Sequence, residues 1–257
     1  MNNPYNDLIR YRSFLETIPL EQYREELKGI KWVEQDLPKE ILPLASIFRF
    51  YWEIRDYLNF EDWFNIFWEY INTDPVCKDT LSQFKKYYFD KDDNGWFKAG
   101  FRARMYRTWV SVLTQLDFCY VFESVCYQKG KNLLLECNAE LDAKGIDAKV
   151  NDIGFQIAKI SQRKEARSAS KKKAIITIPY AVFNISEFEQ RIKSPRVRDK
   201  EGYKYALDSF HKYFGRLSNG FVVFKEAYLE QIINNIDDIV KLSLVIEKIS
   251  SELSGRY

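Results

Sequence analysis

Glu140-Leu-Asp142, Gly145-Ile-Asp147 and Gly154-Phe-Gln-Ile-Ala-Lys-Ile160 decide how this 257-residue chain is read. Gly145–Val150 and Gly154–Ile160 are short runs rich in β-branched and aromatic residues, separated by the turn-forming pair Asn151-Asp152, so the stretch is expected to be a hairpin. Alternation along the second strand puts Gln156 and Ala158 on one face and Ile157 and Lys159 on the other. Asp147 and Gln156, nine residues apart, then fall side by side at one end of a sheet.

Upstream of the hairpin the apolar period is helical. Leu8-Arg12-Leu15 and Phe60-Phe64-Phe67-Tyr70-Ile71 recur at helix spacing, and Asn59 before Glu61 and Asp62 has the pattern of an N-cap. Pro38 and Pro43 punctuate, Lys91–Gly95 reads as a turn, and a long helix is expected from about Trp96 to Tyr127. Beyond Lys129-Gly130 come a run at Leu133–Cys137, the hairpin, and a fourth strand at Ala174–Ile178 stopped by Pro179. Helices are expected at about 186–193, 202–217 and 227–253, with a short strand at 221–224. The fold class is therefore α/β, a mixed sheet flanked by helices with a largely helical N-terminal part. Residues 1–95 form the helical region and 96–257 the core that carries the chemistry.

The charge balance of 39 basic against 37 acidic residues hides a division. Residues 1–95 carry 12 basic and 18 acidic side chains and residues 96–257 carry 27 and 19, so a polyanion is attracted to the second part. Six basic residues against one acid lie in Ser161–Lys173, directly after the second hairpin strand, and five against one in Arg191–Lys200. Next to a carboxylate hairpin, such segments suit the tracking of phosphates, with arginines available for guanine edges. The candidates are Arg163, Lys164, Arg167, Lys171, Lys172, Arg196 and Arg198.

Composition also excludes classes of chemistry. The single histidine, His211, leaves no material for a multi-histidine metal site, and a Ser-His-Asp triad would have to be built around it; set among helix-spaced aromatics and far from any Gly-x-Ser-x-Gly or Cys motif, it reads as a packing or surface residue. Cys77, Cys119, Cys126 and Cys137 make no Cys-x-x-Cys pair and are expected as reduced thiols. No apolar run suits a membrane span, and Met1–Asp7 lacks an export signal, so the expected location is cytoplasmic. What remains is the hairpin. Phosphodiester hydrolysis uses acidic oxygens to hold Mg²⁺, which polarises the phosphate and acidifies an attacking water, while a lysine steadies the developing charge.

The hairpin has the outline of the PD-(D/E)xK nuclease core in a Gly-x-Asp … Gln-x-Lys form. Further segments resemble the TaqI restriction endonuclease family: Val33–Pro38, Met105–Gln115 running into Phe118-Cys-Tyr120, Glu140–Asp147, Gly154–Ile157, Ile178-Pro-Tyr180 and Asn219–Phe224. They occur in the family's order over most of the chain. The resemblance implies a Mg²⁺-dependent type II restriction endonuclease acting as a homodimer on double-stranded DNA at a short palindrome, TCGA in the family. Position by position it makes Asp142 and Asp147 the acidic pair and Gln156 the strand glutamine. Arg163 and Glu165 match the charged residues that follow.

One position departs from the pattern. Where the family has Lys-Lys after Gln-Ile, this chain has Ala158-Lys159. Three explanations stay open at this level. Lys159 takes over if a bulge shifts the alternation, a lysine such as Lys149 or Lys164 has moved into the site, or Ala158 marks a binding-competent enzyme that has lost its catalytic lysine. Glu123 and Glu140 are candidate outer ligands. The alternative function is a DNA-binding protein without catalysis, with a helical scaffold bearing an incidental basic face as the third.

Overall fold

The computed structural model describes residues 3–30, 36–88, 94–160, 175–181, 185–196 and 198–255. It is a mixed α/β protein with a largely helical N-terminal part. Contacts divide it into two compact units, Ser13–Leu116 on one hand and Met1–Arg12 with Asp117–Tyr257 on the other.

The secondary structure of the Ser13–Leu116 unit is all helical among its described residues. It takes in the end of α1 (Pro4–Thr17), then α2 (Leu20–Glu26), α3 (Leu44–Phe48), α4 (Phe60–Thr73), α5 (Pro75–Tyr88) and the first two thirds of α6 (Asn94–Gln128). Asn59 does cap α4: its side chain accepts from the Asp62 N–H at 2.9 Å. The i, i+3, i+4 spacing of Phe60, Trp63, Phe64, Phe67 and Ile71 makes the buried stripe of α4. Against it pack Phe101 and Trp109 of α6, and Phe97 joins Phe101 to Phe84 of α5, so the core of this unit is mainly aromatic.

The second unit is built on a four-stranded sheet of order β1-β2-β3-β4, from β1 (Leu135–Glu136), β2 (Ala148–Val150), β3 (Ile153–Lys159) and β4 (Ile175–Tyr180). The first three strands are antiparallel and β4 runs parallel to β3. The predicted hairpin is β2–β3, closed at Val150↔Ile153, with Asn151 at φ 51° in the turn. That backbone conformation favours asparagine among non-glycine residues. Asn151 also exchanges hydrogen bonds with Leu134, which ties the turn to the start of β1. Phe155 on β3 packs on Phe118 of α6 with ring centroids 6.1 Å apart, so the sheet is laid on that helix. Between strands β1 and β2 lies the short helix α7 (Ala139–Ala143), capped by Asn138.

The rest of the unit follows as α8 (Ile185–Lys193), α9 (Lys200–Tyr213), a two-stranded pair β5 (Phe214–Arg216) and β6 (Val222–Phe224), α10 (Glu226–Ile233) and α11 (Ile239–Leu253). Three expectations are corrected here. Pro179 does not stop β4, which continues to Tyr180; β4 is at the edge of the sheet, where a missing N–H costs no ladder bond. The helix expected to reach 217 ends at Tyr213, because Phe214–Arg216 pair with β6. The expected helix over 227–253 is two helices. Asn234, Asn235, Asp237 and Asp238 are poor helix formers, and Asp238 instead caps α11 by accepting from the N–H groups of Val240 and Lys241.

An ion pair between a half-buried arginine and a fully buried acid holds this unit across its layers. Asp117 of α6 is fully buried and accepts from Arg12 Nε of α1 at 3.1 Å and from the Phe224 N–H of β6 at 2.6 Å. Arg12 also donates to the Phe224 carbonyl. Burial raises the Asp117 carboxyl above its ordinary range, opposed by Arg12 and the Phe224 N–H. Among the described residues no helix is long and apolar enough to cross a membrane.

Candidate active site

Asp147 stands immediately before β2. Its N–H donates to the Phe155 carbonyl at 2.8 Å, and its Oδ2 accepts from the Ile157 N–H at 2.5 Å. These two bonds bracket Gln156, so the side-by-side placement expected from the hairpin is what the structure has. Asp147 is only 7% exposed. Burial pushes its carboxyl up to about 7; the Ile157 N–H works against this and the neighbouring Asp142 adds to it.

Asp142 reaches the same place from α7. That helix ends in a tight turn in which Gly145 takes φ 77° and donates to the Asp142 carbonyl at 2.7 Å. A side chain at 145 would be strained by that backbone angle, which gives the glycine of Gly145-Ile-Asp147 its role. Asp142 is half-buried, and its charge adds to the rise of the Asp147 carboxyl.

Glu123 on α6 belongs to the same surroundings. Burial above all raises the thiol of Cys119, followed by Cys137, Glu123 and Asp147, so both acids are within electrostatic reach of that sulfur. Glu140, the other candidate outer ligand, is exposed on α7. Among the described residues no three His, Cys, Asp or Glu side chains are grouped closely enough to hold a metal ion by themselves. The candidate donors are instead the carboxylates of Asp142 and Asp147 and the amide oxygen of Gln156. All-oxygen donors with adjacent like charges fit a hard divalent cation, whose binding relieves the repulsion between them.

The pairing of β3 with β4 runs unbroken from Gly154↔Ile175 to Lys159↔Tyr180. Gln156 therefore shares a face with Thr177 and Ala158, while Lys159 projects from the opposite face and is exposed. No bulge shifts the alternation between Gln156 and Lys159. Ala158 is 9% exposed, so the position two residues beyond Gln156 is closed over by its neighbours. Lys149 is engaged on the next strand, with its Nζ 3.6 Å from Glu136.

Of the basic residues, Arg196 and Arg198 are exposed in the segment between α8 and α9. Their neighbour Arg191 is held by Glu187 and Tyr203. Arg163, Lys164, Arg167, Lys171 and Lys172 lie outside the described residues, as does Glu165.

The chain matches the family model described as TaqI restriction endonuclease over residues 8–236. It belongs to the TaqI restriction endonuclease family. The type II restriction enzyme TaqI of Thermus aquaticus is 34% identical over 259 residues, covering 95% of this chain and 90% of that protein. The type II restriction enzyme TthHB8I of Thermus thermophilus is 34% identical over 238 residues, covering 87% and 86%. No solved structure matches the chain significantly. The region matched to the TaqI family contains every candidate site residue, including Ala158 and Lys159. It also contains Arg12 and Asp117, which the sequence reading passed over. An acid between Leu116 and Phe118 inside an apolar helical run was the available signal for that pair.

Proposed function

We propose that the chain is a Mg²⁺-dependent type II restriction endonuclease that hydrolyses double-stranded DNA at a short palindrome, TCGA, as a homodimer. A two-fold dimer presents identical surfaces to the two halves of such a site. The observation that carries the reading, within a TaqI family chain, is the pair of adjacent carboxylates at the hairpin. Asp147 is fixed by the Ile157 N–H beside Asp142, with Gln156 bracketed between its bonds.

Bound Mg²⁺ supplies Lewis-acid polarisation of the scissile phosphate and a more acidic attacking water. Asp142 and Asp147 would hold it, and Gln156 would orient it or the water. Burial raises the Asp147 carboxyl to about 7, and a bound cation would favour its ionised form. Arg163, Lys164, Arg167, Lys171, Lys172, Arg196 and Arg198 track the phosphates, and the arginines among them are the candidates for reading bases.

Ala158 leaves the position two residues beyond Gln156 without a lysine, and Lys149, which shares that face through its pairing with Gly154, is engaged with Glu136; the chain is proposed to be catalytically disabled at 158. That same observation favours the second reading, a sequence-specific DNA-binding protein that does not cut. Plasmid cleavage with Mg²⁺ separates them, comparing this chain, Ala158→Lys, and Ala158→Lys with Asp147→Ala. Discrete cutting by Ala158→Lys alone supports a nuclease disabled at 158. Cutting by the unaltered chain supports a nuclease served by Lys159 or another lysine. Tight DNA binding with no cutting by any of the three leaves the non-catalytic reading.

A further inference from the structure

The helical unit carries a cationic cluster that the hairpin chemistry does not use. Trp68 of α4 is half-buried, and two ammonium groups from different helices converge on its ring. Lys85 Nζ of α5 lies 5.6 Å from the ring centroid and Lys98 Nζ of α6 lies 5.5 Å from it. Lys85 is also 5.4 Å from the ring of Phe97. Lys98 is exposed, as is Lys86 next to Lys85.

Three physical points set this cluster apart from an ordinary solvated face. Two like charges share one aromatic partner, and neither lysine is ion-paired among the described residues; Asp90, Asp92 and Asp93, between the two helices, lie outside them. Lys98 is the fifth residue of α6, close to the end where the helix dipole already favours anions, so helix stability does not account for it. From Asn94 to Leu116 this helix carries Lys98, Arg102, Arg104 and Arg107 and no acidic residue, within a unit whose other segments are rich in acids.

We propose that Trp68, Lys85 and Lys98 form a second phosphate-contacting surface, by which the helical unit grips the backbone of duplex DNA without reading its sequence. The ring orders both ammonium groups, so less side-chain freedom is lost when each meets a phosphate. Such contacts add affinity and salt dependence equally on every sequence. This rests on the reading of the chain as a DNA-binding protein.

The test is the slope of log K against log salt concentration for the full chain on a short synthetic duplex lacking TCGA, without divalent metal. Lys85→Gln with Lys98→Gln is expected to reduce the slope by about 1.8, at about 0.9 per phosphate lost. The loss should be equal on a TCGA duplex, and Lys85→Arg with Lys98→Arg should keep the original slope. Should the double variant unfold, Lys98→Gln alone, at an exposed position, should reduce the slope by about 0.9. An unchanged slope in a folded variant overturns the surface and leaves the nuclease reading standing. Absence of duplex binding by the unaltered chain removes both.

Discussion

The Asp147 carboxylate accepts a hydrogen bond from the backbone N–H of Ile157, its Oδ2 2.5 Å from that nitrogen. A side chain thus carries the β2–β3 pairing one residue past the last paired position, Ala148↔Phe155. It also fixes an acid in a buried place beside a second acid, an arrangement that works against the stability of the metal-free protein.

Asp147→Asn should therefore stabilise the metal-free chain at alkaline pH while abolishing cation-dependent function. With the carboxyl raised from 3.8 to about 7, the folded state holds a proton that the unfolded state has released. The stability associated with Asp147 is complete below 3.8 and is lost as pH rises through about 7. The gain in Asp147→Asn at pH 8 is bounded at roughly 4 kcal/mol. Urea denaturation from pH 4 to 8 measures it. A variant as pH-dependent as the parent over that range would sink the assignment. Added Mg²⁺ should raise the melting temperature of the parent and not of the variant.

Removing one partner of the ion pair between α1 and α6 should be costly. Asp117 has no exposed surface, so Arg12→Ala leaves its carboxyl supported only by the Phe224 N–H. The expected loss is about 3–5 kcal/mol. Arg12→Met with Asp117→Leu removes both charges and should recover a large part of it, which chemical denaturation of the three variants would show.

How much of this was legible in the sequence depends on the range of the interaction concerned. The hairpin, the cap at Asn59 and the long α6 were legible because each is set by neighbours a few residues away. The split between α10 and α11 was written in Asn234–Asp238 but masked by apolar helix periodicity on both sides. The continuation of β4 through Pro179 was not legible, because whether a proline ends a strand depends on which strand forms the edge. Position 147 was legible as an acid next to Gln156, whereas its raised carboxyl depends on burial and on the charge of Asp142. The pairing of Arg12 with Asp117 spans more than 100 residues, so the acid inside the apolar run of α6 marks a buried charge locally without naming its partner.

Alkaline unfolding should begin near the ordinary tyrosine range. Burial raises the Tyr106 hydroxyl from 10.0 to about 12, against a small opposing pull from Arg24. Above pH 10 the unfolded chain releases a proton that the folded chain keeps, so stability falls as pH rises towards 12. Tyr106→Phe should lessen that fall by roughly 2–3 kcal/mol. Stability of parent and variant compared at pH 8 and pH 11.5 measures this, and parallel losses would exclude Tyr106 as a source.

Lys159 and Ala158 should respond in opposite ways to exchange. Lys159 emerges exposed on the face of β3 away from Gln156, and the unbroken register with β4 gives it no route back. Lys159→Ala in the Ala158→Lys background should change the cleavage rate by no more than a few-fold, whereas Asp147→Ala in that background should abolish it. The closed surroundings of Ala158 make the new lysine expensive, because a core position filled by a longer side chain costs about 1–3 kcal/mol of strain. Ala158→Lys should therefore melt at a lower temperature than the parent while cutting faster. Single-turnover cleavage of a TCGA duplex and thermal denaturation, run on the same preparations, check both halves. A Lys159→Ala change as damaging as Asp147→Ala would move the catalytic lysine to 159 and require β3 to rearrange when DNA binds.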